Sequence, residues 1–201
     1  MFELDHIAVS AATLGEGVAY VEAALGVALA GGGQHPYMGT HNRVLGLGPT
    51  DYLEVITIDP AAPPVPRPRW FRLDEFSGRP RPTNWICRVG NLVEALTAAP
   101  AGAGRPVDLE RGAFRWRMGV PEGGRLPFDE AFPALIEWRG PRPQDRLADA
   151  GCRLTRLEVA HPEAGALEKV VRLADPRVVF TVGPAGLRAT IATPHGVRVL
   201  E

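Results

Sequence analysis

A near-repeat between the two ends of the chain constrains its fold more than any other feature. The N-terminal copy begins with LDHIAV at residues 4–9, continues through a helix-type pattern and ends with YLEVI at residues 52–56. The C-terminal copy begins with LTRLEV at residues 154–159, passes through another helix-type pattern and ends with GVRVL at residues 196–200. A unit of this size cannot bury its own sheet, so copies must pack against one another. The repeat therefore predicts paired sheets around a shared cavity.

Capping signals predict a helix in each of the first two units. Thr13 and Glu16 form a capping box, apolar residues follow at helical spacing, and Gly26 stands where the helix would end. Asn91 and Glu94 repeat the signature in the middle of the chain. Each helix follows one strand-type segment and precedes several others, which predicts β-α-β-β-β units.

These signals divide the chain into four segments. We assign a first βαβββ unit to residues 1–60, a Pro/Arg-rich linker to 61–82, a second βαβββ unit to 83–140, and a third or partial βαββ(β) unit to 141–201. Proline prevents a long element in the linker, but its large apolar residues predict a short helical turn packed on the body. The predicted fold class is α+β, with the repeated units forming paired curved mixed sheets around a cup and the helices on the outside.

Charge and composition exclude several classes of partner. A net charge of -1 and a pI near 6.5 give no basic footprint for nucleic acid or an acidic membrane surface. The chain has no apolar run long enough to span a bilayer, and Met1 leads directly into a strand-type segment, so we expect neither a membrane span nor a secretory signal. Cys87 and Cys152 do not make a disulfide framework. We expect buried free thiols and a cytoplasmic location.

Several segments resemble the vicinal oxygen chelate superfamily, and within it the glyoxalase-like domain proteins. LDHIAV at residues 4–9 resembles the family's first strand, and GGQHPYMGTHN at residues 32–42 resembles its Gly-Gly-x-His…Gly-Thr-x-Asn segment. YLEVI at residues 52–56 resembles its metal-bearing fourth strand, and the likeness continues more weakly through PALIEW at residues 133–138. The resemblance implies a cup in which the first and fourth strands of two units hold a divalent metal. That metal chelates two neighbouring oxygens of a small substrate.

The resemblance implies a metal set of His6, Glu54 and Glu137, because Glu137 aligns with Glu54 in the second unit. Imidazole nitrogen and carboxylate oxygen suit zinc, manganese, iron or nickel. Trp85 stands where His6 would align, so the set is one ligand short, and His41 on the neighbouring strand is a further candidate. The alternative is a buried hydrogen bond between His6 and Glu54 with no metal.

Substrate contacts are expected at the rim and walls of the cup. His35, Thr40 and Asn42 lie in a glycine-containing loop that runs into a strand, and such loops often surround a binding site. The alternative is a simple turn in which Asn42 bonds its own backbone. Trp85 is a candidate aromatic wall.

Two arginines of the third unit occupy the places that His6 and Glu54 hold in the first. If the third unit faces the first across the cup, Arg156 and Arg198 would bind the carboxylate or phosphate group of an anionic substrate. The alternative is that they pair with Glu54 and Glu158 inside the sheet.

These features predict a bacterial-type, glyoxalase-like protein that binds, and in one version transforms, a small oxygen-rich metabolite. With a divalent metal it would be a lyase, isomerase or dioxygenase in which Glu54 or Glu137 is the proton-transfer base. The alternative is a metal-free binding protein that sequesters a drug-like or aromatic small molecule between tryptophan and tyrosine walls. The sequence leaves open which of these it is, and whether a homodimer completes the cup.

Overall fold

The computed structural model describes residues 1–201, which form twelve strands, three α-helices and two short 3₁₀ helices. The strands are β1 (Glu3–Ser10), β2 (Gln34–His35), β3 (Thr40–Gly46), β4 (Tyr52–Ile58), β5 (Arg81–Arg88), β6 (Arg105–Arg111), β7 (Phe114–Val120), β8 (Ala134–Trp138), β9 (Arg153–Ala160), β10 (Val178–Thr181), β11 (Gly186–Thr193) and β12 (Gly196–Leu200). The α-helices are α1 (Leu14–Leu25), α2 (Leu92–Ala98) and α3 (Ala164–Val171), and the 3₁₀ helices span Trp70–Glu75 and Pro143–Asp145. None of these helices has the length and apolar character needed to cross a membrane.

The first two units join edge to edge into one curved sheet of eight strands. Its order is β2-β3-β4-β1-β5-β8-β7-β6, and the two units meet where β1 pairs antiparallel with β5. Within each unit the first strand pairs in parallel with the last, β1 with β4 and β5 with β8. The predicted α+β class, with repeated units around a cup, is confirmed.

The third unit forms a separate sheet with a different strand order. Its order is β10-β9-β11-β12, and β12 pairs only with β11 at the edge of the sheet. In the first unit, by contrast, the closing strand β4 pairs directly with the opening strand β1. The near-repeat in sequence therefore does not extend to the strand pairing of the third unit.

Two hydrophobic clusters pack against the opposite faces of the eight-stranded sheet. The convex core joins that sheet to the three helices and to the third unit, and it includes Ile7, Val9, Val21, Leu25, Trp85, Leu92, Leu157, Val171 and Ile191. The concave core lines the inside of the cup and comprises Ala8, Met38, Ile56, Trp70, Phe71, Leu73, Ile86, Val107, Leu109, Trp116, Met118, Val120, Leu126, Ala134 and Ile136. The third unit therefore packs behind the cup instead of facing into it.

The predicted helix caps are present in the structure. The Thr13 hydroxyl accepts a hydrogen bond from the Glu16 amide at 3.2 Å, and Gly26 ends α1 in the left-handed conformation with φ 72°. The Asn91 side chain accepts from the Glu94 amide in the same way at α2. In the proline-rich segment, the 3₁₀ helix Trp70–Glu75 inserts its apolar side chains into the concave core.

Candidate functional site

A β-bulge in β1 brings two consecutive polar side chains into the buried interior. Leu4 pairs with Cys87 and His6 pairs with Ile86, so the register slips by one residue at Asp5. Leu4 belongs to the convex core, whereas the Asp5 carboxylate accepts a hydrogen bond from His6 Nδ1 at 2.8 Å. Asp5 is completely buried.

His6 lies beside Glu54 because their strands pair in parallel. The register sets His6 opposite Tyr52, and Glu54 follows two residues later on the same face of β4. His6 Nε2 is 3.6 Å from Glu54 Oε2, and both side chains are nearly inaccessible. The Tyr52 ring stacks on the imidazole with 4.3 Å between ring centroids.

The two partners hold each other in their charged forms. Burial disfavours the imidazolium, but the hydrogen bond to Asp5 and the negative charges of the Asp5 and Glu54 carboxylates outweigh it and raise the pKa of His6 to about 9. Burial likewise disfavours the Glu54 carboxylate, but His6 and the Asn42 amide outweigh it and lower the pKa of Glu54 to about 2. At neutral pH the pair is therefore an imidazolium and a carboxylate.

Arg111 connects the two ends of the curved sheet at this site. It belongs to the edge strand β6 of the second unit, yet its Nη1 donates to Asn42 Oδ1 at 3.1 Å and to His35 Nε2 at 3.0 Å. The other ring nitrogen of His35 then donates to the Thr40 hydroxyl at 3.1 Å. Burial, reinforced by the Arg111 charge, lowers the pKa of His35 to about 4 in spite of Glu54, so this imidazole is neutral at neutral pH.

These groups surround a small cavity of about 30 Å³. Its polar side consists of His6, His35, Asn42, Glu54 and Arg111, and its remaining walls are Tyr52, Trp70, Phe71, Trp116, Met118, Ile136 and Trp138. Such a volume holds a water molecule, for which roughly 10–15 Å³ is enough, but no metabolite. A ligand could enter only if a wall moves.

The structure brings together five of the residues singled out from the sequence. His6, His35, Asn42 and Glu54 border the cavity, and Thr40 holds the ring of His35. Asn42 does not bond its own backbone, as the simple-turn alternative required. Its side chain bridges the Gly33 amide, Arg111 and Glu54.

Glu137 and Trp85 lie on the other face of the sheet. Glu137 accepts from the Leu92 amide at 2.8 Å and from Arg139 Nε at 2.7 Å, so it caps the start of α2. Trp85 is fully buried in the convex core, where its Nε1 donates to the Ala131 carbonyl. Side chains alternate along a strand, and the alignment by sequence register assigned both residues to the wrong face.

The remaining candidates also lie away from the cavity. Arg156 pairs with Glu158 at 2.9 Å, and Arg198 donates to the Val197 carbonyl on the edge strand β12. Both arginines belong to the third unit behind the cup, so neither reaches Glu54. The imidazole of His41 lies 3.9 Å from the Asp59 carboxylate and does not border the cavity.

Isoleucines occupy the positions of the second unit that correspond to His6 and Glu54. Ile86 stands opposite His6 across the β1–β5 pair, and it pairs with Ala134 as His6 pairs with Tyr52. Two residues after Ala134 comes Ile136, the counterpart of Glu54. Both isoleucines belong to the concave core.

The donor set does not fit a divalent metal. No three His, Cys, Asp or Glu side chains converge on a point that could hold a metal ion. By strand pairing, the second unit's counterparts of His6 and Glu54 are Ile86 and Ile136, which have no donor atoms. The site also contains the Arg111 guanidinium, which repels a cation.

Sequence reasoning missed three polar or aromatic contributors: Asp5, Arg111 and Trp70. Asp5 precedes His6 in the sequence, but strict alternation along β1 predicts that it points away, and only the bulge reverses this. Trp138, one of the tryptophans expected as walls of a metal-free binding site, lines the cavity and donates from Nε1 to the Asp5 carboxylate at 3.0 Å. Arg111 reaches the site only because the sheet curves back on itself.

A family model described as "Glyoxalase-like domain" matches residues 4–173. The chain belongs to this family. The predicted resemblance is thereby confirmed, and the match covers both units that form the cup and extends to the residues just after α3. No curated protein matches the chain.

Two solved structures resemble the chain at low identity. A hypothetical protein from Staphylococcus aureus is 12% identical with a TM-score of 0.57, covering 84% of this chain and 73% of its own. Methylmalonyl-CoA epimerase from Mycobacterium tuberculosis is 17% identical with a TM-score of 0.45, covering 70% of this chain and 89% of its own. The first likeness concerns the fold alone, and the second carries no argument.

Proposed function

We propose that this glyoxalase-like protein binds a small neutral molecule, without a metal, at the His6–Glu54 pair. The observation that carries the proposal is a buried donor and a buried acceptor side by side, 3.6 Å apart and facing one cavity. The sequence left a metal-dependent and a metal-free function open. Ile86 and Ile136 at the remaining ligand positions favour the metal-free one.

Hydrogen-bonding capacity defines the polar part of the ligand. At 3.6 Å, His6 Nε2 and Glu54 Oε2 are too far apart for a good hydrogen bond to each other. A ligand that accepts from the imidazolium and donates to the carboxylate would satisfy both groups, and charge-assisted bonds of this kind are strong. An amide, or a carbonyl beside a hydroxyl, has this arrangement.

Charge balance favours a neutral ligand. Asp5 and Glu54 contribute two negative charges, and His6 and Arg111 contribute two positive charges, while His35 is neutral. Arg88 lies 3.9 Å from Asp5, but its charge is balanced by its own partner Glu3. A ligand with a net charge would leave a buried charge uncompensated, which costs several kcal/mol. The surrounding tryptophan and tyrosine rings suit a planar or aromatic body.

The pKa values favour binding over proton abstraction. A general base works best with a pKa near the working pH, and Glu54, with a pKa of about 2, is a weak base. His6, with a pKa of about 9, keeps its proton at neutral pH. The pair is therefore suited to holding a polar group through charged hydrogen bonds.

Benzamide and benzoate provide a matched test, because they share shape and differ in charge. We expect tryptophan fluorescence titration to show benzamide binding more tightly than benzoate by about tenfold or more. Glu54→Gln makes the site net positive and should shift the preference towards benzoate. The matched control Glu137→Gln, on the other face of the sheet, should leave the preference unchanged.

Two results would contradict the proposal. One is equal binding of both probes, or of neither, by the unaltered protein. The other is a stoichiometric transition metal, found by elemental analysis of protein purified without chelators and lost on His6→Gln.

A further inference from the structure

A second and much larger cavity lies next to the small polar one. It has a volume of about 540 Å³, within the range of roughly 300–1,000 Å³ typical of small-molecule sites. Its walls come from the segment around the 3₁₀ helix, from the 129–131 loop and from the third unit. Its apolar lining comprises Phe71, Phe76, Pro82, Ala131, Ala185 and Leu187.

Phe71 is the one residue that lines both cavities. It stacks on Trp70 with 5.6 Å between ring centroids, and Trp70 lines the small cavity only. The pair therefore separates a polar cavity that is too small for a metabolite from an adjoining cavity that is large enough for one.

The backbone is strained on both sides of this partition. Phe71 and Arg72 have φ values of 58° and 51°, and Asp129 and Glu130 across the large cavity have φ values of 50° and 74°. Residues other than glycine rarely adopt this left-handed conformation, and such strain concentrates at ligand-binding and switching segments. Nor does Trp70 hold the partition in place through its indole, because the buried Nε1 has no hydrogen-bond partner.

The charges of the large cavity restrict what it can take. Arg72 is paired with Glu75 at 2.7 Å, and Arg81 donates to the carbonyls of Ser77 and Arg79. Arg81 has no carboxylate partner, but the same lining carries the four carboxyl groups of Glu75, Asp129, Glu130 and Glu201 against only two guanidinium groups. An anionic group in this cavity would therefore meet more negative than positive side chains.

We propose that the two cavities form one binding site for an elongated ligand, with its polar head at His6 and Glu54 and its body in the large cavity. The body is apolar or aromatic, and neutral or cationic. Displacement of Phe71 joins the cavities when the ligand binds. The assignment of the head rests on the function proposed above, and that of the body rests on the partition and the charges of the large cavity.

Prodan, a neutral naphthyl ketone whose emission shifts to the blue in apolar surroundings, has the required length. Its carbonyl can accept from His6 Nε2, and it has no donor for Glu54. We expect one-to-one binding to the full chain and tighter binding by Phe71→Gly, because glycine removes the partition and accepts the left-handed backbone. Ala185→Trp fills the large cavity and should weaken prodan binding by about tenfold or more. Val182→Trp, at an exposed position outside both cavities, is the matched control and should change nothing.

Comparing prodan and benzamide binding by the same variants distinguishes a failure of the joint site from a failure of the function proposed above. His6→Gln should weaken both prodan and benzamide, whereas Ala185→Trp should weaken prodan alone. Prodan binding that responds to only one of these substitutions, or no prodan binding even by Phe71→Gly, would overturn the joint site. Benzamide binding tests the proposed role of His6 and Glu54 independently of the large cavity. Anilinonaphthalenesulfonate, an anionic dye of similar size, should bind far more weakly than prodan, and equal binding would refute the charge restriction.

Discussion

Asp5 determines the charge state of the site from one residue away. Its carboxylate accepts from His6 Nδ1, from Trp138 Nε1 and from the Gln144 amide at 3.3 Å, so the negative charge is buried but well hydrogen-bonded. Held in this way, it orients the imidazole and directs Nε2 towards Glu54. The bulge that makes this possible is a departure from regular pairing, and bulges are common next to functional sites.

Stability should peak near pH 6.5, because two histidines change charge on folding in opposite directions. The folded pKa of His6 is about 9 against an ordinary 6.5, so its contribution is complete below 6.5 and is lost as the pH rises through 9. The folded pKa of His35 is about 4, so its contribution is complete above 6.5 and is lost as the pH falls from 6.5 towards 4. Urea unfolding across this range would show the maximum.

Single substitutions identify which histidine causes each side of that maximum. His6→Gln should flatten the alkaline side, and His35→Gln should flatten the acid side. The exposed His195, replaced by Gln, should leave both sides as they are. An alkaline side that survives in His6→Gln would refute the raised pKa.

The sequence could predict which residues belong to the site where a single strand or loop determines their position. His6, Glu54 and Asn42 come from the first unit, whose strands pair with their near neighbours in sequence. Asp5 depends on a bulge, and Arg111 depends on the approach of two distant sheet edges, so no local pattern could indicate either.

At the scale of elements, the face of the sheet on which a carboxylate lies decides its role. Glu54 on β4 faces the small cavity, whereas Glu137 on β8 faces the opposite side. Glu137 caps α2 through the Leu92 amide. Glu137→Ala should therefore lower the free energy of unfolding by about 1 kcal/mol, typical of a lost helix cap, and leave benzamide binding unchanged. Urea unfolding and fluorescence titration of the same variant measure both quantities. Lost binding with unaltered stability would mean that Glu137 belongs to the site after all.

The ends of the helices and the approximate positions of the strands could be predicted from the sequence. Thr13, Asn91 and Gly26 act through contacts within a few residues, so the sequence alone contains them. The face that Trp85 and Glu137 occupy depends on a one-residue register, and a shift of one residue reverses every side chain.

At the scale of the whole molecule, the third unit supports the cup from behind. Leu157 on β9 is fully buried in the same cluster as Ile7 and Trp85 of the eight-stranded sheet. Leu157→Ala should destabilise the protein by about 2–5 kcal/mol. Because the cluster is shared, fluorescence and circular dichroism should still report one coincident unfolding transition.

Arg198→Met is the matched control within the same sheet, because its side chain is exposed and donates its hydrogen bond to the adjacent Val197 carbonyl. It should change neither stability nor benzamide binding by a measurable amount. Two separate transitions in Leu157→Ala would show that the third unit folds independently of the cup. The sequence could not predict which units join, because all three carry similar strand and helix patterns and the choice depends on long-range pairing.

The protonation state of His6 tests the central claim, a buried ion pair in place of a metal, most directly. Nitrogen NMR of the histidine rings at pH 7 should show both nitrogens of His6 protonated, with the titration midpoint near 9. Addition of Zn²⁺ or of a chelator should leave these signals unchanged. A His6 ring with one bare nitrogen at pH 7, whose signal shifts when Zn²⁺ is added, would contradict the account.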